Sequence, residues 1–546
     1  METISITLVL LLAVVLSGPL ERLLWIRIPR PFIQIALGGA IALSTDLSIT
    51  LHPDVFFLLF LPPLLFLDGW RTPRQGLRRD FGLILGLAIG LVVFTVLGLG
   101  TFIHWMIPAM PLAVAFALAA IVSPTDALAV SAILAGRAMP ERLMHVLEGE
   151  SLLNDASGLV CMNFAVAAVM TGAFSLGAAA SEFVWLAVGG VLCGVAVTGA
   201  AAMAKHIVSV RFGEEAGAQV LISLLMPFGA YLAAEWLGGS PVLAAVAAGL
   251  TMGRLEQGGH LGAVSRLDRK VFWDMVQYIA NGVVFVLLGE QLPDIVARAS
   301  DLMQVPERFE WAWLLLYVCA IVAFLAALRF AWVWGCLTAA AKWARRRGVK
   351  GERADRKHVG AAALGGVRGA VTLAGILTLP LHLPDGSAFP ARDLAIFLAA
   401  GVIIASLAAA AIGLPLLIPP ATAHHRPTRS RTLSAIHVEA AEAAIRAIET
   451  GQRRIAEADG GTLLATEAAA HLVETYRRRI AAHSAPGERA EALLRTSEIE
   501  RDLHVEALRA ERDIYFQAAR ADRLNEDEVR GLVLALDLLE ARLTTR

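Results

Sequence analysis

The stretch Glu148-Gly149-Glu150-Ser151-Leu152-Leu153-Asn154-Asp155 places carboxylates, a hydroxyl and an amide inside an apolar run that reads as one long helix over about 143–171. At about 100° per residue, Glu150, Ser151, Asn154 and Asp155 share one face about 140° wide. Such a face cannot look at lipid. It must look at protein or at a water-filled cavity, because each ionisable residue at mid-membrane costs roughly 2.5–3.5 kcal/mol on insertion scales. The stretch therefore decides between a buried structural network and a polar site within a membrane domain.

The rest of the chain supplies the membrane context. Of 546 residues, 57% are hydrophobic and 17% charged, and the mean hydropathy is +0.64. A soluble protein of this size needs far more surface charge. The apolar residues recur in runs of about 20, the length that spans a bilayer core as a helix. Thirteen spans are predicted, near 3–20, 31–46, 53–70, 80–104, 110–135, 143–171, 181–204, 216–236, 240–253, 271–289, 311–340, 359–380 and 392–418. Helices are expected because lipid offers backbone polar groups no other partner, and nothing here alternates like a membrane barrel. Residues Met1–Gly18 have no basic leader and no A-x-A-like site, so they read as an uncleaved first span.

Charge between the spans gives the orientation. Loops after odd-numbered spans carry clusters such as Arg71, Arg74, Arg78 and Arg79, or Lys342, Arg345, Arg346 and Arg347. Loops after even-numbered spans offer only Arg298, Arg308 and Arg392. Basic loops stay in the cytoplasm, so the N-terminus is expected outside and the C-terminus inside. The four cysteines (Cys161, Cys193, Cys319, Cys336) fall within apolar segments at spacings that match neither a zinc site nor a redox pair. Beyond Pro419-Pro420 the composition turns to Ala, Glu and Arg with helical periodicity, punctuated by Gly460-Gly461 and Pro486-Gly487. Residues 421–546 are thus expected as a cytoplasmic α-helical domain, without nucleotide-binding loop, metal spacing or nucleophile constellation. Its mixed-sign helices suit a solvated or self-associating bundle, with regulation or dimer contact as further roles.

Two other spans carry ionisable residues at mid-membrane. Span five contains Ser123-Pro124-Thr125-Asp126. Proline removes a backbone donor and breaks the helix, so freed carbonyls, a hydroxyl and a carboxylate gather where a hard monovalent cation finds oxygen ligands. Asp126 alone also suits a cap on the broken helix. Span twelve contains Gly365-Gly366-Val367-Arg368-Gly369, where glycines permit irregular backbone around a permanent cation. Arg368 is expected as the fixed partner of Glu150, which leaves Asp155 free to titrate. Spans five and twelve cross in opposite directions, the sequence sign of an inverted-repeat transporter with its site near the midplane.

These residues resemble the sodium/proton exchanger branch of the monovalent cation/proton antiporter superfamily, over about residues 1–420. Glu150-Ser151-Leu152-Leu153-Asn154-Asp155 is the most specific match, supported by Thr125-Asp126 and Gly366-Val367-Arg368-Gly369. The resemblance implies a homodimer, with a moving core from spans about 80–171 and 311–418 and a dimerisation scaffold from about 1–70 and 181–289. It implies an ion site at Asp155, Ser151 and Thr125, where sodium binds. Asn154 and Asp126 would hold the crossed segments, and Glu150 with Arg368 would form the structural pair. Many relatives carry Glu directly after Phe in a Pro-Pro-x-x-Phe stretch. Here Leu67 follows Phe66 and the acid comes one place later, as Asp68. That shift of about 100° makes Asp68 a weaker site candidate.

The function so implied is electroneutral exchange of cytoplasmic Na+ or Li+ for protons at the cell membrane, in the service of pH homeostasis. It needs no cofactor beyond the transported ions, no nucleic acid and no enzyme chemistry. Asn154 stands where the electrogenic branch carries a second aspartate. The alternatives are a K+/H+ antiporter of the same fold and a cation channel, although no Thr-Val-Gly filter run appears. A membrane enzyme or receptor fits least, because the tail lacks catalytic residues.

Overall fold

The structure is a computed structural model that describes residues 2–23, 28–44, 53–72, 74–134, 137, 139, 141–172, 176–212, 216–256, 263–301, 310–346, 356–418, 431–459, 462–484, 487–520 and 526–544. Among them the chain is helical, without strands. It divides into two compact units, Met1–Ala421 and Thr422–Arg546.

The first unit opens with α1 (Glu2–Leu23), α2 (Arg30–Ser44), α3 (Pro53–Arg71) and the short α4 (Arg74–Arg79). Next, α5 (Phe81–Leu85) passes through a π-helical turn, Gly86–Leu91, into α6 (Val92–Met106). The span after it is interrupted: α7 (Leu112–Val122) stops at Ser123 and α8 (Ala127–Ile133) resumes after the proline. The long helices α9 (Glu141–Thr171), α10 (Leu176–Phe212), α11 (Ala216–Trp236), α12 (Pro241–Glu256), α13 (Ala263–Asp301) and α14 (Glu310–Arg346) follow. A second interruption separates α15 (Arg356–Leu364) from α16 (Ala370–Leu377), and α17 (Arg392–Leu417) closes the unit. Each predicted stretch overlaps helix, often with longer bounds, and both predicted breaks occur where Pro124 and Gly365-Gly366 stand. Among the described residues, eight helices are long and apolar enough to cross a membrane. In α10 only 22% of the most apolar window is buried within the protein. Trp185 and Leu192 lie exposed along it, which suits contact with lipid.

The helices pack in two groups. In one, α2 lies along α13, and α3 and α10 along α12, with α1 and α11 beside them. Small residues let these backbones approach. A side chain at Gly289 would run into the Ile35 carbonyl, and one at Gly38 would meet Val286 in turn. In the other, α7 packs on α6 and α9, and α17 on α14, α15 and α16. Its core is closely packed, with Leu118, Ile121, Ile376, Ala399 and Leu407 almost wholly buried. The two groups meet where α3 and α13 face α9 and α16.

The second unit contains α18 (Arg431–Asp459), α19 (Thr462–Ser484), α20 (Gly487–Arg520) and α21 (Glu526–Thr544). Here α18 packs on α19 and α20 on α21, around small or aliphatic residues such as Ala441, Ala469, Val505 and Leu508. Arg512 bonds Glu540 and lies 2.8 Å from Asp537, stapling α20 to α21.

Candidate ion-binding site

The site is assembled at the two breaks. Where α7 ends, the backbone turns through Ser123–Asp126 instead of continuing its ladder, and the second break supplies partners. The Asp126 N–H donates to the Val367 carbonyl at 2.7 Å. In return, Arg368 Nε donates to the Val122 carbonyl at 2.7 Å. The second guanidinium arm bonds the Gly366 carbonyl, and the Arg368 N–H reaches Ser406 Oγ at 3.2 Å. The interrupted segments thus satisfy each other's backbone in a place where water is scarce. Gly369 is part of this contact, since a Cβ there would stand 2.9 Å from the Asp126 Cβ and Cγ.

The polar face of α9 lies against the crossing. Asn154 Nδ2 donates to Thr125 Oγ1 at 3.0 Å, and the Thr125 hydroxyl donates to Glu150 at 3.3 Å. Ser151 Oγ faces the Ala127 N–H at 3.5 Å. Asp126 Oδ1 accepts from the Ala129 N–H at 3.2 Å, capping α8. Thr125, Glu150 and Asn154 are buried, and Asp155 is 8% exposed.

Glu150 has a different partner from the one expected. Its carboxylate is gripped by both arms of Arg329, from the middle of α14, with Nη2–Oε2 at 2.7 Å. Arg329 Nε meanwhile donates to the Ala362 carbonyl at 2.8 Å. The predicted Glu150–Arg368 pair is therefore corrected to Glu150–Arg329. The reason lies in the break itself: unwinding strands the Val122 and Gly366 carbonyls, and Arg368 is consumed by them. Arg329, on continuous helix, presents its planar fork to the carboxylate. Arg329 puts a charge in the middle of a fourth span, one that the sequence reading leaves without any. A lone arginine inside the 28-residue apolar stretch Ala312–Ala339 was the signal.

Between the helix groups lies a cavity of about 40 Å³, large enough for a few water-sized occupants. One wall carries Thr125, Asp126, Ser151, Asp155 and Thr372. The other carries Leu61, Leu64, Leu65 and Asp68 of α3 and Asn281 of α13. The structure thus brings Asp155, Ser151, Thr125 and Asp126 together, sets Asn154 behind them, and keeps Glu150 and Arg368 as bracing. Asp68 joins the cavity in spite of its shifted position in α3. Asn281 and Thr372 carried no signal, because a single amide or hydroxyl in an apolar run is common. Among the described residues, no three or more His, Cys, Asp or Glu side chains are placed to hold a metal ion. Carboxyl, hydroxyl and amide oxygens around a small cavity are the hard ligands that suit a monovalent cation.

Comparison with known proteins follows the same lines. A profile of the family described as "Sodium/hydrogen exchanger, transmembrane" matches residues 9–418. A protein of Escherichia coli named "Uncharacterized Na(+)/H(+) exchanger YjcE" is 37% identical over 545 residues, covering 100% of this chain and 99% of that protein. A protein of Bacillus pumilus named "Sodium, potassium, lithium and rubidium/H(+) antiporter" is 43% identical over 420 residues, 76% of this chain and 61% of its own length. Among solved structures, the sodium proton antiporter MjNhaP1 from Methanocaldococcus jannaschii has the same fold. Its TM-score is 0.57 at 19% identity, with 76% of this chain and 98% of that one covered.

Proposed function

Because this chain belongs to the sodium/hydrogen exchanger family, we propose that it exchanges cytoplasmic Na+ or Li+ for protons across the cell membrane, one for one and without net charge movement. The observation that carries this reading is the place of Asp155, a buried carboxylate on the wall of a small polar cavity between two helix groups. A bound cation and a bound proton each neutralise it. Either neutral form can cross a low-dielectric barrier, and the bare anion cannot. That competition is sufficient for obligate exchange.

The stoichiometry rests on the neighbours. Asn154 is neutral and donates to Thr125, and Asp126 caps α8. Asp155 is then the exchanging carboxylate of the moving wall, and Asp68 belongs to the wall opposite. Ser151 and Thr125 supply the hydroxyls of the ion site, and Glu150 with Arg329 and Arg368 keeps the crossing rigid. In this account the group of α5–α9 and α14–α17 moves as the core. The group of α1–α3 and α10–α13 forms the scaffold of a homodimer, and the basic loops set the C-terminus in the cytoplasm.

A second reading, with K+ as a further substrate, is favoured by the Bacillus pumilus relative, whose name includes potassium and rubidium. Liposomes carrying the purified protein and an internal pH dye separate the two. Addition of Na+, Li+ or K+ outside should alkalinise the interior, unchanged by a K+/valinomycin clamp, and the ion series names the substrates. Clamp-sensitive flux would contradict electroneutrality, and conductance without proton flux would identify a channel.

A further inference from the structure

We propose that Asn281 is a cation ligand supplied by the wall opposite Asp155, and that it helps determine which ions are accepted. The inference rests on the antiport reading and adds a residue that neither the motif nor the family match points to.

Asn281 sits near the middle of α13, which spans Ala263–Asp301. One side of this helix is spoken for: the neighbouring Gly282 abuts Val14 and Gln34, and Gly289 abuts Ile35, so that side packs on α1 and α2. Asn281 lies about 100° round the helix from Gly282 and lines the cavity instead. The Asn281 side chain is partly buried where it meets the cavity. Among the described residues no hydrogen bond satisfies the Asn281 side chain. The amide is thus available to whatever occupies the cavity, water or the ion.

The chemistry of an amide suits this place. Asp155, Asp126 and Asp68 already bring three carboxyl groups to the cavity. A further carboxylate would bind cations more tightly at the expense of release and neutrality. The amide carbonyl adds a hard oxygen ligand with no charge, so it adjusts affinity and size preference while leaving the one-for-one balance alone. Because it comes from the wall that does not carry Asp155, the ligand set is complete only while the two walls face each other. A proton on Asp155 needs no such second ligand. Asn281 is thus expected to weight the competition toward the cation.

The test uses the full-length protein in liposomes, with initial rates of proton flux measured against Li+, Na+ and K+ for wild type, Asn281→Leu and Asn281→Ser. Asn281→Leu should raise the cation KM about tenfold, with Vmax within about twofold, and by unequal factors for the three ions. Tenfold corresponds to ~1.4 kcal/mol of ground-state binding. Asn281→Ser, which keeps an oxygen, should recover part of the change. A packing defect would instead lower Vmax for all ions alike and leave their KM ratios untouched. That result, or unchanged KM values in an active variant, overturns the proposal. If Asn281→Leu fails to fold, Asn281→Ser decides alone, with a two- to fivefold, ion-dependent rise in KM as the expected result and wild-type values as the contrary one. A wild-type protein inactive with every cation would overturn the antiport reading itself, which separates the two failures.

Discussion

Arg329→Met tests how the site is held together. The substitution removes both donors that grip Glu150, a carboxylate only 1% exposed, from a side chain that is itself 4% exposed. Breaking a buried pair by removing one partner strands the other charge, at about 3–5 kcal/mol. The Thr125 hydroxyl, at 3.3 Å, can replace little of what is lost. The Ala362 carbonyl also loses its donor, which adds about 1 kcal/mol. Arg329→Met should thus cost about 4–6 kcal/mol in all, by both of these losses. Replacing both partners, as Glu150→Leu with Arg329→Met, should return to within about 2 kcal/mol of wild type, since an apolar pair needs no desolvation. Denaturant titration in nanodiscs, with the four members of the cycle side by side, gives the coupling directly. The same cycle on Glu150 and Arg368 should show under about 1 kcal/mol, because Arg368 bonds carbonyls instead. A Glu150–Arg368 coupling larger than the Glu150–Arg329 coupling would refute the assignment, as would an Arg329→Met variant of nearly wild-type stability.

Asp155→Asn should reduce exchange to the empty-liposome background while its size-exclusion profile and melting stay near wild type, because an amide fills the same space but cannot exchange a proton. Gly369→Ala should lower Vmax about tenfold, by forcing a methyl group against the Asp126 carboxylate where the broken helices cross; this follows from the ~1–3 kcal/mol of overpacking in a close contact. In the C-terminal unit, hydrogen bonds from Arg512 hold the Glu540 carboxyl below its ordinary value of 4.5. The stabilisation is therefore present above that value and lost as pH falls through the lower folded value. Protection factors of α20 and α21 amides in the full-length protein, with the intrinsic pH dependence of exchange divided out, should fall over that range, and Arg512→Ala should weaken the dependence, leaving the part held by Arg509.

The architecture was legible because the membrane restricts what a sequence can mean. Apolar runs become helices, and Pro124 and Gly365-Gly366 mark breaks. Four residues of α9 share a face whatever surrounds them. What escaped depends on contacts between distant segments. Arg368 and Arg329 both stand inside apolar runs of the sequence and both suit Glu150; the choice turns on which carbonyls the break strands, and that is settled only in three dimensions. Asp68 shows the limit of arguing by register. A turn of about 100° on one helix does not remove a side chain from a cavity that several helices enclose. Asn281 left no trace because its meaning comes entirely from the wall it faces.

The central claim is that proton and cation compete for one carboxylate, and the dependence of cation affinity on pH measures this directly. Initial exchange rates in liposomes, taken against Na+ at a series of equal internal and external pH values, give KM and Vmax at each. Competition at Asp155 predicts that the apparent KM rises about tenfold per unit as pH falls through the acid range, with Vmax restored at saturating Na+. A KM indifferent to pH, with Vmax falling instead, would mean that proton and cation bind at separate places, and the account would be wrong.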